Sequence, residues 1–330
     1  MNKQCYFFLC AFFVFFAGCT RDFPITKGKI SPTYVIEGRI SNLRGAYYVR
    51  ITKAQDLASS YVRDTMGLDY AEGVTGARVI ISDDRGTADT LKPADALPSR
   101  REYFYRNDKI DSEWMPNEHY EFTTARGYYG TTKITGIPGH TYHLQVYIGN
   151  GQFEASAYMP LNAPPVDSAA IGKDMVTDAF MSNGNPVFTW FNEPQDEVNY
   201  YLLQAANING YTYDRTDLLY NTNAAFPYEI LDEKTLPPYV NGLEIQAIMA
   251  DYMYRKSPRY YPIAFQGTSV QVRLFSIDRN THEYFKTLEK QFLNDGNVYK
   301  PAPASAAGNI SGGALGLFWA PNISYKLVLR

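Results

Sequence analysis

From residue 33 onward, apolar and polar residues alternate in short β-branched or aromatic runs, and Ser, Gly, Asn and Pro break the pattern about every 8–12 residues. Side chains at i and i+2 share one face of a strand, so each run predicts a strand with one packed side. Thr33 to Ile40, Tyr47 to Thr52 and Ala77 to Ser82 read this way, the last closing at Asp83-Asp84-Arg85-Gly86. The clearest pattern is Tyr142, Leu144, Val146 and Ile148 alternating with His143, Gln145 and Tyr147. Gly149-Asn150-Gly151 supplies the positive-φ residues of a tight turn, and Gln152 to Tyr158 is predicted to return antiparallel.

Pro160, Pro164 and Pro165 cannot donate to a hydrogen-bond ladder, so 160–168 is predicted to be a stiff linker. Beyond it, Pro186 to Phe191, a turn around Pro194, and Asn199 to Ala205 resemble the first two core strands of a fibronectin type III sandwich. In that arrangement a buried Trp, here Trp190, packs against a Tyr-containing strand. Ser269 to Ile277 is another alternating strand. It leads into a helix on which Tyr284, Phe285, Leu288 and Phe292 share one face, with Asp278 or Thr281 as cap and Asn294-Asp295-Gly296 as its end. Tyr299 to Gly308 reads as a loop, and Leu315 to Trp319 and Tyr325 to Leu329 as closing strands. The expected fold is mainly β. Residues 33–159 and 169–330 are expected to form two β-sandwich domains, Ig-like or fibronectin type III-like, with one amphipathic helix near the C-terminus, about 281–293.

The N-terminal pattern differs from all of this. Lys3 is followed by an apolar run from Tyr6 to Phe16 and then Ala17-Gly18-Cys19. The run is too short to cross ~30 Å of hydrocarbon as a helix but fits the apolar part of an export signal. Residues 1–18 are therefore expected to be a lipoprotein signal peptide. Cys19 is the expected acceptor of diacylglycerol and of acyl chains such as palmitate, and 19–32 the tether. Each buried methylene contributes about 0.8 kcal/mol, so two or three chains anchor a protein durably.

The chain has 3 cysteines, Cys5, Cys10 and Cys19, and none after position 19. The part expected to fold therefore has no disulfide, no Cys nucleophile and no Cys-ligated metal. Loss of Lys3 with the signal takes the formal charge from −3 to −4, spread without an acidic or basic block, which argues against nucleic acid as a partner. Tyr is over-represented, at 28 residues, and favours strands and half-wet surfaces.

No catalytic set is expected. His282-Glu283 lacks the second His that a helical zinc pair requires, because position 286 is Lys. His140 and His143 fall on opposite faces of a strand, His119 has no nearby partner, and no metal or cofactor is expected. Asp83, Asp84, Glu193 and Asp196 sit in turn contexts and are expected to be solvated. Carboxylate pairs for sugar hydrolysis would be identified only by their separation in space, which makes a hydrolase the weakest of the functional readings. Among the Tyr pairs, Tyr128-Tyr129 after Gly127 and Tyr260-Tyr261 before Pro262 read as loop residues. They are the expected binding anchors, with the alternative that they are core.

Several segments together are similar to the domain-of-unknown-function family 4249, lipoproteins of the Bacteroidota. They are Tyr34-Val35-Ile36-Glu37-Gly38, Val74-Thr75-Gly76-Ala77-Arg78-Val79, Gly136-Ile137-Pro138-Gly139-His140-Thr141-Tyr142, Met159-Pro160 with Pro164-Pro165-Val166-Asp167-Ser168, the Tyr284 to Gln291 helix, and Asn309-Ile310-Ser311-Gly312-Gly313-Ala314-Leu315-Gly316-Leu317-Phe318. The resemblance implies a non-enzymatic outer-membrane lipoprotein, on its periplasmic or its cell-surface face. Its partners would be the membrane, through the lipid on Cys19, and a TonB-dependent receptor for which it captures a glycan or peptide ligand or on which it docks. The alternative is a surface glycan-binding or adhesive module. The resemblance also makes Thr65, Thr90 and Ser168 candidate O-glycosylation acceptors, in Asp64-Thr65-Met66, Asp89-Thr90-Leu91 and Asp167-Ser168-Ala169. The closing Gly-rich pattern is open to a structural and a functional reading.

Overall fold

The alternation that predicts the hairpin also sets its packing. Thr141–Ile148 pairs with Gly151–Tyr158 in the register Tyr142↔Ala157, Leu144↔Ala155 and Val146↔Phe153, and these residues point into one core. Their neighbours His143, Gln152, Glu154 and Ser156 face solvent. The computed structural model describes residues 34–43, 47–53, 62–63, 69–94, 100–106, 109–115, 127–177, 183–195, 198–207, 228–251, 256–262, 269–293 and 306–329. Within them the protein is mainly β, with a single helix, Arg279–Leu293, near the C-terminus.

Two sheets enclose the first core. One runs Leu315–Trp319, Tyr34–Arg39, Tyr48–Lys53, Tyr128–Gly130 and Lys92–Pro93; the other runs Gly151–Tyr158, Thr141–Ile148, Arg78–Asp83 and Ala88–Thr90. Ile36, Val49, Ile51 and Tyr129 from the first meet Val79, Ile81, Leu144 and Val146 from the second. A second core lies between the sheet Val166–Ile171, Val187–Asn192, Tyr239–Glu244 and the sheet Glu229–Asp232, Tyr200–Asn207, Ser269–Ile277, Asn322–Leu329. Phe191, Val240, Leu203, Val272 and Leu274 fill it.

Residues 32–330 form one compact unit, and two features bind its halves together. The strand Leu315–Trp319, expected within the C-terminal domain, pairs parallel with Tyr34–Arg39 in the N-terminal sheet. The side of the C-terminal sheet away from its own core carries Leu202, Phe275 and Ile277, which pack under Phe285 of the helix together with Leu317 and Trp319 from that crossing strand. The connection between the halves is fastened as well. Asn322 Nδ2 donates to the carbonyls of Pro160 (3.0 Å) and Leu161 (3.1 Å), and Ser324 Oγ donates to that of Pro164 (2.6 Å). The expected linker 160–168 also ends early, because the chain enters a strand at Val166.

The Gly-rich pattern at 309–318 makes the crossing possible. Gly316 has φ +111°, and a Cβ there would lie 2.0 Å from the Ile36 carbonyl oxygen, so only glycine lets the two backbones approach. Asn309 Oδ1 accepts from the Phe318 amide (2.9 Å), and its Nδ2 donates to the carbonyls of Phe318 (2.6 Å) and Ser156 (3.0 Å). Ser311 donates its amide to the Glu154 carbonyl (2.7 Å) and accepts the Glu154 amide on its hydroxyl (2.9 Å). The pattern thus clasps the outer edge of Gly151–Tyr158, an edge that would otherwise be open to pairing. This is the structural reading of that motif.

Candidate functional site

The four tyrosines expected as loop anchors lie in strands. Tyr128 and Tyr129 belong to Tyr128–Gly130 and are 1% and 0% exposed. Tyr129 enters the main N-terminal core and donates its hydroxyl to the Val74 carbonyl (2.8 Å), while Tyr128 packs with Tyr48 and Ala94 on the other side of the sheet. Adjacent strand residues do point to opposite faces, but both faces here are covered, which corrects the loop placement. Tyr260 and Tyr261 lie in Lys256–Pro262. Tyr261 is buried with the Arg259 guanidinium 4.8 Å from its ring, and Tyr260 is partly buried with its hydroxyl bonded to Glu289 of the helix.

The other candidates are scattered. Cys19, Thr65, His119 and Asp196 lie outside the described residues. Thr90 and Ser168 are both exposed, on different sheets. Asp89, beside Thr90, is buried and accepts from the amides of Thr132, Lys133 and Ile134 and from the Thr132 hydroxyl, at 2.7–3.0 Å. Burial works to raise its pKa, and these four bonds outweigh it and leave the carboxyl below its usual value. Asp83 and Glu193, expected in solvent, are also buried. Asp83 accepts from the amides of Arg85 (3.1 Å) and Thr87 (2.7 Å), and Glu193 accepts from Asn199 Nδ2 (3.2 Å), so each carboxylate braces its own turn. His140 and His143 take separate partners, Asp84 and Ser156.

A polar joint lies under the helix, which Asp278 caps by accepting the Thr281 amide at 2.7 Å. His282, 1% exposed, stacks on Tyr200 with ring centroids 4.6 Å apart, and burial lowers its pKa, helped by Lys286. One turn on, Lys286 Nζ lies 3.6 Å from Asp232, and Glu289 holds Tyr260. Burial pushes the nearby Glu229 carboxyl up to about 7, opposed by the Gln246 amide that donates to it at 3.1 Å and reinforced by Glu244. These groups hold the helix against three strands at positions spaced four and three residues apart along one helical side. The Lys286–Asp232 and Glu289–Tyr260 pairs close within the protein and fasten the helix, whereas both ring nitrogens of the buried His282 lack a hydrogen-bond partner among the described residues.

An aromatic feature that reaches solvent lies elsewhere. Along Val187–Asn192, Val187, Thr189 and Phe191 face the core, while Phe188, Trp190 and Asn192 face outward and are at least partly exposed. Trp190 is therefore not the buried Trp of the expected sandwich. Phe191 takes that place, its ring 6.1 Å from Tyr201 at 68°. Both neighbouring strands are irregular where they meet Trp190. Its partners are Ser168 on one side and Asn241 on the other, and the register shifts past Asp167 in one pairing and past Gly242 in the other. Such bulges bend a strand and re-aim its side chains.

The consequences are specific. Gly242, at φ +72°, lies under the indole, and a Cβ there would approach the ring to 3.3 Å. Trp190 Nε1 donates to Asn241 Oδ1 (2.9 Å), and Asn192 Nδ2 donates to Asp167 Oδ2 (2.8 Å). Tyr239, the partner of Asn192, is 45% exposed, and the Phe188 ring lies 6.5 Å from the indole. Three aromatic rings thus sit on one outward sheet face beside fixed amide and carboxylate groups. Alternation alone could not find them, because both faces of this strand carry aromatic residues.

The model of a family described as a domain of unknown function (DUF4249) matches residues 20–326. No curated protein matches the sequence.

Proposed function

The chain belongs to the DUF4249 family, and from that premise we propose that it is a lipid-anchored outer-membrane protein that captures ligand for, or docks on, a TonB-dependent transporter, without catalysing a reaction. The observation that carries this reading is the apolar run Tyr6 to Phe16 followed by Ala17-Gly18-Cys19, with the family match opening at residue 20, directly after that Cys. A lipid on Cys19 would leave 14 residues, 20–33, before the first described strand at Tyr34, a span that reaches at most about 50 Å when extended. That length lets the β body stand off the membrane and meet a receptor in it. The aromatic sheet face supports a binding role, since amphipathic rings are efficient anchors at interfaces.

Metabolic labelling with an alkyne fatty acid tests the anchor, and pull-down from detergent-solubilised outer membranes tests the partner. Wild type is expected to carry label and to co-purify with a TonB-dependent receptor, and Cys19→Ala to lose the label. Label retained in Cys19→Ala would remove the anchor, and a labelled protein that brings down no receptor would remove the transporter role.

A further inference from the structure

We infer that the face around Trp190 is a saccharide-binding platform for an uncharged glycan. The inference rests on the reading of this protein as a ligand-capturing module, whichever transporter it serves. Three observations carry it. The first is construction. Bulges in both neighbouring strands bend the sheet on either side of Trp190, and the positive-φ Gly242 leaves room for the indole to lie along the backbone. A strand needing only its inner face, with Val187, Thr189 and Phe191, would not require either device.

The second is the mixture of groups. A sugar ring presents C–H faces that stack on aromatic rings and a rim of hydroxyls that both donate and accept. Phe188, Trp190 and Tyr239 provide the stacking surface. Asn241 uses its carbonyl on the indole and Asn192 uses its N–H on Asp167. Those bonds fix both side chains and leave an Asn241 N–H, the Asn192 carbonyl and the second Asp167 oxygen for hydroxyls.

The third is charge. The three strands Val166–Ile171, Val187–Asn192 and Tyr239–Glu244 carry two carboxylates, Asp167 and Glu244, and no Lys or Arg. An anionic polysaccharide or a phosphate headgroup would meet repulsion from these two carboxylates and no Lys or Arg on the three strands. An uncharged sugar finds acceptors for its hydroxyl donors.

The test is affinity electrophoresis of the lipidated full chain in detergent, through native gels containing soluble β-glucan, xyloglucan or galactomannan, with polygalacturonate as the anionic counterpart. Retardation is expected in at least one uncharged polysaccharide. It should weaken about tenfold or more in Trp190→Ala and in Tyr239→Ala and be partly kept in Trp190→Phe. Tyr239 is exposed, so its variant tests the face even if Trp190→Ala lowers the melt. No retardation by any uncharged polysaccharide, retardation by polygalacturonate alone, or equal retardation of wild type and both alanine variants would overturn the inference. Receptor pull-down in parallel separates it from the broader reading. Loss of the receptor in Trp190→Ala without any glycan retardation would assign the face to a protein partner, whereas retardation without a receptor would keep the platform and remove the transporter.

Discussion

Tyr128-Tyr129 and Phe188 with Trp190 are equally aromatic stretches of short strands, yet they have opposite fates. The strand Tyr128–Gly130 lies between Tyr48–Lys53 and Lys92–Pro93 in a sheet whose two faces are both covered there, so each ring enters a core. The strand Val187–Asn192 is central in a sheet that the described residues cover on one side, so two of its three rings remain outside. Aromatic density therefore marks a binding surface only where a sheet face is left open. Whether a face is open is a property of the layers and not of the strand.

The largest effect should come from the buried side of this contrast. Tyr129→Ala removes a ring from the N-terminal core and strands the Val74 carbonyl that it bonds. A loss of about 3–5 kcal/mol is expected by chemical denaturation. A loss below about 1 kcal/mol would mean that the ring is not core and would restore it as a surface candidate.

Next is the clasp that ties the halves together. Gly316→Ala places a Cβ against the Ile36 carbonyl at a φ that L-residues rarely adopt, and should cost about 3 kcal/mol. Gly313→Ala is strained only through its φ of +82°, with open space around it, and should cost about 1 kcal/mol. Equal melts for the two variants would show that the close crossing of Leu315–Trp319 over Tyr34–Arg39 is not what requires glycine.

The polar joint under the helix gives a pH signature that the aromatic face lacks. Glu229 holds its proton up to about pH 7 when folded, against a usual value of 4.5. Its penalty is therefore absent below the lower value, builds as pH rises between the two, and is complete above the upper one. Glu229→Gln cannot ionise, so it should exceed wild type by about 2 kcal/mol at pH 8 and match it near pH 4.5. A gap of the same size at both pH values would contradict the burial of that carboxyl. Binding at Trp190 should be insensitive to the substitution.

Intact mass adds the smallest structural effect and sharpens the map of the open face. Ser168 is the strand partner of Trp190, whereas Thr90 lies on the other half. If both acceptors are used, the mass should exceed that of the bare lipidated chain and fall stepwise in Thr90→Ala and Ser168→Ala. A mass equal to the bare chain removes O-glycosylation.

Much of the fold was legible locally. The hairpin at 141–158, the helix and the closing strands follow from alternation, helical spacing and turn residues that act within a few positions. What escaped depends on distant contacts. The clasp joins Ser311 to Glu154, and the helix is tied to Tyr260 through Glu289, pairings that no local period encodes. Val166–Ile171 was hidden behind a Pro-rich approach, and its bulge shifts the register that would assign its faces. Tyr128 and Tyr129 read as loop because a strand of three residues next to a glycine has the local signature of one. Trp190 reads as core because Phe191 fits the same role one residue later, and a slip of one position exchanges the inside and outside of a strand.

The assignment of Trp190 to the outside and Phe191 to the core is tested most directly by comparing the unfolding free energies of Trp190→Ala and Phe191→Ala against wild type. Phe191→Ala should lose about 3–5 kcal/mol, as a fully buried ring does, while Trp190→Ala should lose about 1 kcal/mol or less. The reverse order, or equal and large losses, would place the indole inside the sandwich and contradict the open aromatic face.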